Sequence, residues 1–250
     1  MNITGNTIFI PGATSGIGLG LALRLQAARN TVIIGGRRTA LLQQIATEHP
    51  GIDTIEIDTT NTDSIASAAT ELVERHPALN TLVAMAGIME PEDLRDPTSI
   101  DVAERTITVN LLGPIRLVNT FLPHLLAQPH ATIMTVSSGL AFVPLAATPT
   151  YSATKAAIHS FTESLRVQLA TTTVQVVELV PPATQTTLMG QQDSPTALPL
   201  EEFLDDVMHL LSTQPEANEI LVERVKWLRH AEAEGRYQDV LGVLSAHVRS

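Results

Sequence analysis

TIFIPGATSGIG, residues 7–18, decides the architecture: a run of strand-forming residues, a short turn, and glycines at 12, 16 and 18 that open an apolar-periodic segment. Thr7 to Ile10 reads as a buried strand and Pro11 to Ser15 as a tight turn, while Ile17, Leu21 and Leu25 recur at helical spacing from Gly16 to Ala28. Gly12 permits the turn, Gly16 lets backbone N–H groups approach a pyrophosphate, and Gly18 permits close packing of the helix on the strand. The helix N-terminus adds partial positive charge where a phosphate would lie. A glycine cluster alone also suits a purely structural turn. The strand before it and the helix after it point instead to a nucleotide site on the backbone of Gly12, Ser15, Gly16, Ile17 and Gly18.

Working outward, short β-branched runs alternate with helical patterns, the signal of βαβ units around a parallel sheet. Strands are expected at Thr31 to Gly35, Thr54 to Ile57, Thr81 to Ala84, Ala131 to Val136, Val174 to Leu179 and Glu219 to Val222. Helices are expected around Leu41–Ile45 and Ile65–Val73, over Ile100 to Ala127 with an interruption at Gly113-Pro114, and over Tyr151 to Ala170. Residues 181–199 break the rhythm with Pro, Gln, Thr, Ser and Gly over a longer connection than usual, and the part from 186 to 199 reads as a variable loop covering substrate. A helical segment over 224–246 closes the chain, and residues 1–250 read as one domain.

Composition narrows the classes. Apolar residues at 44% and charged residues at 16% describe a well-buried globular chain. The formal net charge of −11 disfavours nucleic acid as a partner, and the absence of cysteine excludes thiol catalysis, disulfides and thiolate metal sites. No apolar run is long enough to span a membrane, and a cytoplasmic location is the default. The eight histidines show neither H-x-H nor H-E-x-x-H spacing, so no metal is assigned, and His124 and His159 read as helix-surface or interface residues. Glu201, Glu202, Asp205 and Asp206 read as a solvated helix face.

Where the second strand ends, a dinucleotide site would hold the adenosine ribose, and the sequence there is Gly35-Gly36-Arg37-Arg38. Gly36 offers no carboxylate for a ribose diol, whereas Arg37 and Arg38 can clasp a 2′-phosphate, so NADP(H) is preferred, with NAD(H) as the alternative. Asp58-Thr59 can meet the adenine amino group, although an aspartate there equally suits a turn or helix cap. Tyr151 and Lys155 are four apart on an expected helix and share a face, and Ser138 follows the fifth strand. A cation beside a phenol favours the phenolate and tunes it as a proton donor.

On these motifs the chain resembles a classical short-chain dehydrogenase/reductase over nearly its whole length: Gly12, Gly16 and Gly18, Asp58, Asn110-Leu-Leu-Gly113, Ser138, and Tyr151-x-x-x-Lys155. The resemblance implies an α/β Rossmann-type doubly wound parallel sheet of about seven strands flanked by helices. It further implies an oxidoreductase that interconverts a carbonyl compound and its alcohol. In that family pattern Tyr151 is the general acid or base, and Ser138 hydrogen-bonds the reacting oxygen. Lys155 holds the nicotinamide ribose and lowers the tyrosine pKa, and Asn110 positions a water in the proton relay. Ala86 and Gly87 after strand four, Pro181, and Thr186 at the nicotinamide carboxamide complete the implied cofactor contacts. The Pro181-Pro182-x-x-x-Thr186 form and the tail KWLRHAEAEGRY further resemble a bacterial subgroup of uncharacterised oxidoreductases.

Three positions depart from the family pattern. Pro11 stands where threonine is usual, Ala84-Met85-Ala86-Gly87 replaces Asn-Asn-Ala-Gly, and Pro182 replaces a glycine. Pro11 and apolar packing by Met85 are expected to substitute for a lost polar tie between turn and strand four. A mostly apolar substrate pocket is expected from Met89, Leu140, Phe142, Val143, Leu188 and Met189. The Ala- and Leu-rich faces of the two long helices suggest a homodimer or homotetramer. The altered Pro11 and Met85 positions also admit a cofactor-sensing regulatory protein without turnover, against which stands the full Ser138, Tyr151, Lys155 and Asn110 set.

Overall fold

The computed structural model describes residues 1–246, so the last four residues of the expected 1–250 domain lie outside the described residues. Seven parallel strands form one sheet: β1 (Thr7–Pro11), β2 (Thr31–Gly36), β3 (Ile52–Glu56), β4 (Leu79–Ala84), β5 (Ala131–Val136), β6 (Val174–Leu179) and β7 (Glu219–Ile220). Their order is β3-β2-β1-β4-β5-β6-β7, so the direction of winding reverses between β1 and β4. Open parallel sheets bind ligands at such a reversal, beyond the carboxyl ends of the strands.

Strand alternation fills both faces. Ile8, Ile10, Val32, Ile34, Met134 and Leu179 pack with Leu21 and Leu25 of α1 (Gly16–Ala27) and with Phe203 and Val207 of α7 (Leu200–Thr213). On the opposite face Phe9, Ile33, Leu82, Ile133 and Val176 meet Ile65 and Leu72 of α3 (Thr62–Arg75), Leu117 and Phe121 of α5 (Gly113–Leu126), and Leu165 of α6 (Pro149–Leu169). With α2 (Thr39–Glu48) beside β3, this is the doubly wound arrangement the sequence led us to expect.

Several boundaries differ from the expectation. Strands β3 and β4 each begin two residues earlier, and β7 ends at Ile220. The long helix is α4 (Ile100–Ile107) joined to α5 by a π-helical turn, Thr108–Leu112, in which the Gly113 N–H donates to the Thr108 carbonyl. Pro114 has no N–H to give the Asn110 carbonyl four residues back, so the chain widens by one residue there and turns Asn110 inward. The segment 186–199 contains a short 3₁₀ stretch, Leu188–Asp193, and is tied back by Gln185 N to Leu198 O at 2.8 Å. The C-terminal segment is two helices, α8 (Glu223–Arg229) and α9 (Tyr237–Leu244), divided at Gly235 with φ +69°. Leu228, Ala231 and Val240 of this segment bury Val143. A Cβ on Gly139 would lie 2.5 Å from Leu228 Cδ1 and 3.0 Å from Val225 Cγ2, so the glycine lets the turn after β5 pack closely on α8.

Candidate active site

The glycine turn is shaped by close approach. Gly12 has φ +84°, and a Cβ there would lie 2.8 Å from the Cα of Ala86. Its N–H donates to Gly35 O at 2.7 Å, locking the turn to β2. Gly16, at φ +54°, faces Thr186, whose Cγ2 would be 3.4 Å from an added Cβ. Gly18 packs under Met85, whose sulfur lies 3.1 Å from the corresponding point. Met85 thus fills the space between the strand-four segment and α1 with apolar contact.

Beside this turn a cavity of about 260 Å³ is lined by Gly12, Ser15, Arg37, Arg38, Asp58, Thr59, Ala86 and Gly87, among others. A Cβ at Gly36 would lie 2.8 Å from Thr14 Cγ2, so the Thr14 side chain crowds the position where a ribose-binding carboxylate would start. The Arg38 guanidinium donates to Thr14 Oγ1 at 3.0 Å, and Arg37 is exposed at the cavity rim. One Asp58 oxygen accepts from Thr60 N and Thr60 Oγ1 at 2.9 and 2.7 Å, the turn-forming alternative admitted for this residue. Asp58 titrates below its ordinary value: burial opposes this, but the two bonds from Thr60 and the nearby Arg37 outweigh it.

A second cavity of about 430 Å³ shares Gly12, Ser15 and Gly87 with the first and continues past Gly16, Ile17 and Gly18 to Ser138, Tyr151, Lys155, Pro181 and Thr186. Ser138 follows β5 in extended backbone at φ −169°, and its Oγ accepts from Leu140 N at 3.1 Å. Tyr151 and Lys155 lie one turn apart on the buried face of α6, a helix opened by Pro149 at its first position. The Lys155 Nζ is 5.6 Å from the Tyr151 ring centre and donates to Val136 O at 2.8 Å. Asn110 Oδ1 accepts from Ile88 N and Nδ2 donates to Ile88 O, both at 2.8 Å. A Cβ on Gly87 would be 3.4 Å from Asn110 Oδ1 and 3.8 Å from Lys155 Nζ, so this glycine joins the asparagine to the lysine. The four polar residues therefore converge on one buried region.

Burial governs their ionisation. It pushes the Tyr151 phenol up to about 12, against a smaller pull downward from the Ser138 hydroxyl. It pushes the Lys155 ammonium down to about 8, against the opposing charge of Glu178. The expected lowering of the tyrosine is thus reversed, because desolvation outweighs the Ser138 hydroxyl while Lys155 is held against Val136 O.

The pocket wall differs in part from the expectation. Met89, Leu140 and Leu188 line the large cavity, together with Leu145, Gln191, Leu228 and Leu244, which the sequence did not single out. Phe142, Val143 and Met189 do not line it. The short 3₁₀ turn Gly139–Ala141 rotates Phe142 away, so that its ring meets His159 edge-on at 4.7 Å and the Arg229 guanidinium at 4.4 Å. Val143 is buried beneath α8 and α9, and Met189, at φ +54°, is exposed. His159 is no surface residue: it is half-buried, with Nδ1 2.8 Å from an oxygen of the fully buried Glu178. His124 is half-buried as well, with Nε2 2.9 Å from Leu79 O. Glu201 and Asp205 do face solvent, but both hold Arg24 of α1. Among the described residues no helix is long and apolar enough to cross a membrane.

Residues 6–197, which carry these groups, match the short chain dehydrogenase family model. The chain belongs to the short-chain dehydrogenase/reductase family and is an oxidoreductase. It is 39% identical over 235 residues to "Uncharacterized oxidoreductase DltE" of Bacillus subtilis (strain 168), covering 92% of this chain and 93% of that one. Among solved structures it is similar to a short chain dehydrogenase from Burkholderia cenocepacia J2315 in complex with NADP. The identity is 27% and the TM-score 0.84, covering 98% of this chain and 99% of that one. It is also similar to the 3-ketoacyl-(acyl-carrier-protein) reductase from Brucella melitensis complexed with NADH, at 25% identity and TM-score 0.76, covering 86% and 93%.

Proposed function

We propose that the protein is an NADP(H)-dependent oxidoreductase that interconverts an apolar carbonyl compound and its alcohol, with Tyr151 as general acid and base. The observation that carries this reading is the buried convergence of Ser138, Tyr151 and Lys155 in a cavity continuous with the glycine turn. The residues fit a dinucleotide: Gly12, Ser15 and Gly87 line both cavities, and Arg37 and Arg38 on the smaller one would hold a 2′-phosphate. Gly12, Ser15, Gly16, Ile17 and Gly18 would hold the pyrophosphate; Asp58 and Thr59 the adenine; Ala86, Gly87, Pro181 and Thr186 the remainder. The nicotinamide, when bound, supplies or accepts the hydride.

The chain's own groups handle the proton. A phenol held up to about 12 is fully protonated at neutral pH and carries the proton a reduced carbonyl oxygen needs. Ser138 Oγ already accepts a bond from Leu140 N, which leaves its O–H to donate to the same oxygen. Once Tyr151 has given up its proton, the Lys155 ammonium balances the phenolate. Asn110, with both ends of its amide committed to Ile88, fixes the floor beside Met89, and the water of the implied relay would lie next to it. Met89, Leu140, Leu145, Leu188 and Leu228 favour an apolar ketone or aldehyde, with residues 186–199 as its cover. Half-exposed Ile107 and Leu112 on the α4–α5 face support association of copies through that face.

NADPH consumption with a panel of aliphatic and aromatic carbonyl compounds tests this. Tyr151→Phe should lower turnover about 10²- to 10⁴-fold while leaving NADPH affinity in place. Turnover surviving in that variant would refute the role given to Tyr151. Tight NADPH binding with no turnover of any carbonyl would favour the cofactor-sensing alternative.

A further inference from the structure

One turn beyond Lys155 on α6 stands His159, the centre of a side-chain cluster that the reaction above does not use. Its Nδ1 lies 2.8 Å from an oxygen of Glu178 on β6 and 3.9 Å from an oxygen of Glu219 on β7. One nitrogen or oxygen from each of these three residues lies within 4.8 Å of the other two. None of the three lines either cavity. They come from three elements far apart in the chain, so the spacing of histidines in the sequence does not report them.

Glu178 is the unusual member. It is fully buried, and while one of its oxygens meets His159, the other has no hydrogen-bond partner among the described residues. A buried carboxylate oxygen left without a donor is costly, and a cation bound at the cluster would remove that cost. Both oxygens belong to one carboxylate, so an ion held by the oxygen that meets His159 is within reach of the unpartnered one, the two-oxygen grip that carboxylates give metal ions.

The surroundings suit a ligand set. Glu163, one turn further along α6, has an oxygen 3.8 Å from His159 Nε2, placed to orient the ring while Nδ1 faces the ion. Arg229 of α8 donates from Nε to both oxygens of Glu219 at 3.0 and 3.1 Å. Ligating carboxylates are themselves hydrogen-bonded in this way, and each oxygen of Glu219 keeps a second lone pair for an ion. The Phe142 ring, touching both His159 and the Arg229 guanidinium, gives the cluster an apolar wall. Among these touching side chains, with the imidazole neutral, a dication and Arg229 together balance the three carboxylates.

We propose that His159, Glu178 and Glu219 bind one divalent cation of the zinc class, a clip that fastens α6 to the β6–β7 edge of the sheet. One imidazole nitrogen with two carboxylates is a donor set for Zn²⁺, with bonds about 2.0–2.2 Å long. Donor atoms in one such shell stand about 3–3.5 Å apart, so the separations of 2.8 and 3.9 Å need change by only about half an ångström. The side chains of His159 and Glu219 are 19% and 20% exposed, which gives the ion a way in from solvent.

Full-length protein stripped with a chelator and titrated with Zn²⁺ by calorimetry tests this. One ion per chain should bind, and at about a hundredfold excess over its dissociation constant Zn²⁺ should raise Tm by about 5–10 °C. Glu219→Gln and His159→Gln should each weaken the binding about tenfold or more. His76→Gln removes a histidine that meets Asp53 at 2.7 Å in a pair already held by Arg75, and should leave the binding unchanged. In wild type, ¹⁵N spectra of the histidines should show His159 ligated through Nδ1 once Zn²⁺ is added, a readout that stands even if a variant fails to fold. Absence of binding at one ion per chain, a loss below tenfold in either folded variant, or ligation of another histidine in place of His159 would overturn the proposal. None of these readings needs turnover, so they are decided independently of the reaction assigned to the site.

Discussion

Replacing Gly12 with alanine separates the two reasons for a glycine in the turn. At φ +84° an L-residue pays about 1–2 kcal/mol for the left-handed backbone. Its Cβ would also lie 2.8 Å from both the Cα and the Cβ of Ala86, so β1 and the strand-four segment must part. Overpacking of that kind costs about 1–3 kcal/mol. Together these give a loss of about 2–5 kcal/mol, or a fall in Tm of about 4–20 °C at this chain length. Two other glycines isolate the parts. Gly190 has φ +64° with nothing within 4 Å of an added Cβ, so Gly190→Ala carries only the backbone cost and should lower Tm by about 2–8 °C. Gly242, in the exposed face of α9, has neither constraint, and Gly242→Ala should raise Tm by about 2–4 °C through helix propensity. Thermal melts of the three variants with and without NADPH provide the assay. Gly12→Ala should lose the most stability and should also lose most of the NADPH-induced rise in Tm. A Gly12→Ala loss no larger than that of Gly190→Ala would refute the contact argument.

Other perturbations bear on cofactor choice and ionisation. Arg37→Asp should weaken NADPH binding by about tenfold or more while sparing NADH, in fluorescence titrations; equal loss of both would remove Arg37 from the 2′-phosphate. Pro11→Thr with Met85→Asn should leave NADPH affinity nearly unchanged, since Met85 already packs against Gly18; a large gain would show a compromised site. The folded Lys155 value of about 8 lies below the unfolded 10.5, so between those values the unfolded chain holds a proton that the folded one has released. Stability from this group therefore rises with pH, by at most about 3 kcal/mol. Denaturant melts from pH 8 to 10 should show wild type gaining on Lys155→Met, and a constant difference would contradict the burial argument.

How far the sequence could be read depended on whether the information was local. Strand β5 matches its expected limits because Ala131–Val136 is an apolar or β-branched run bounded by His130 and Ser137, and β6 matches because Val174, Val176, Val177 and Leu179 carry the strand pattern across Gln175 and Glu178. The glycine turn and the Tyr151–Lys155 pair were legible for the same reason: strand, turn and helix spacing fix them within a few residues. The directions of Phe142 and Val143 were not, since the turn at Gly139–Ala141 and the packing of α8 against it decide where those side chains point. Leu228 and Leu244 reach the cavity only because the C-terminal helices fold back over it. The pairing of His159 with Glu178 joins a helix to a strand beyond it. Its one sequence signal was a carboxylate, Glu178, within a Val-rich strand pattern, which gives no partner. The tyrosine's elevation also follows from tertiary burial, which spacing alone does not report.

Deuteride transfer tests the central claim most directly. The protein should be incubated with C4-deuterated NADPH and the best carbonyl compound from the panel, and the alcohol analysed by mass spectrometry. The account predicts one deuterium on the carbinol carbon of the product, formed by wild type and nearly absent with Tyr151→Phe. Bound NADPH with no label reaching any carbonyl compound, or equal labelling with Tyr151→Phe, would contradict it.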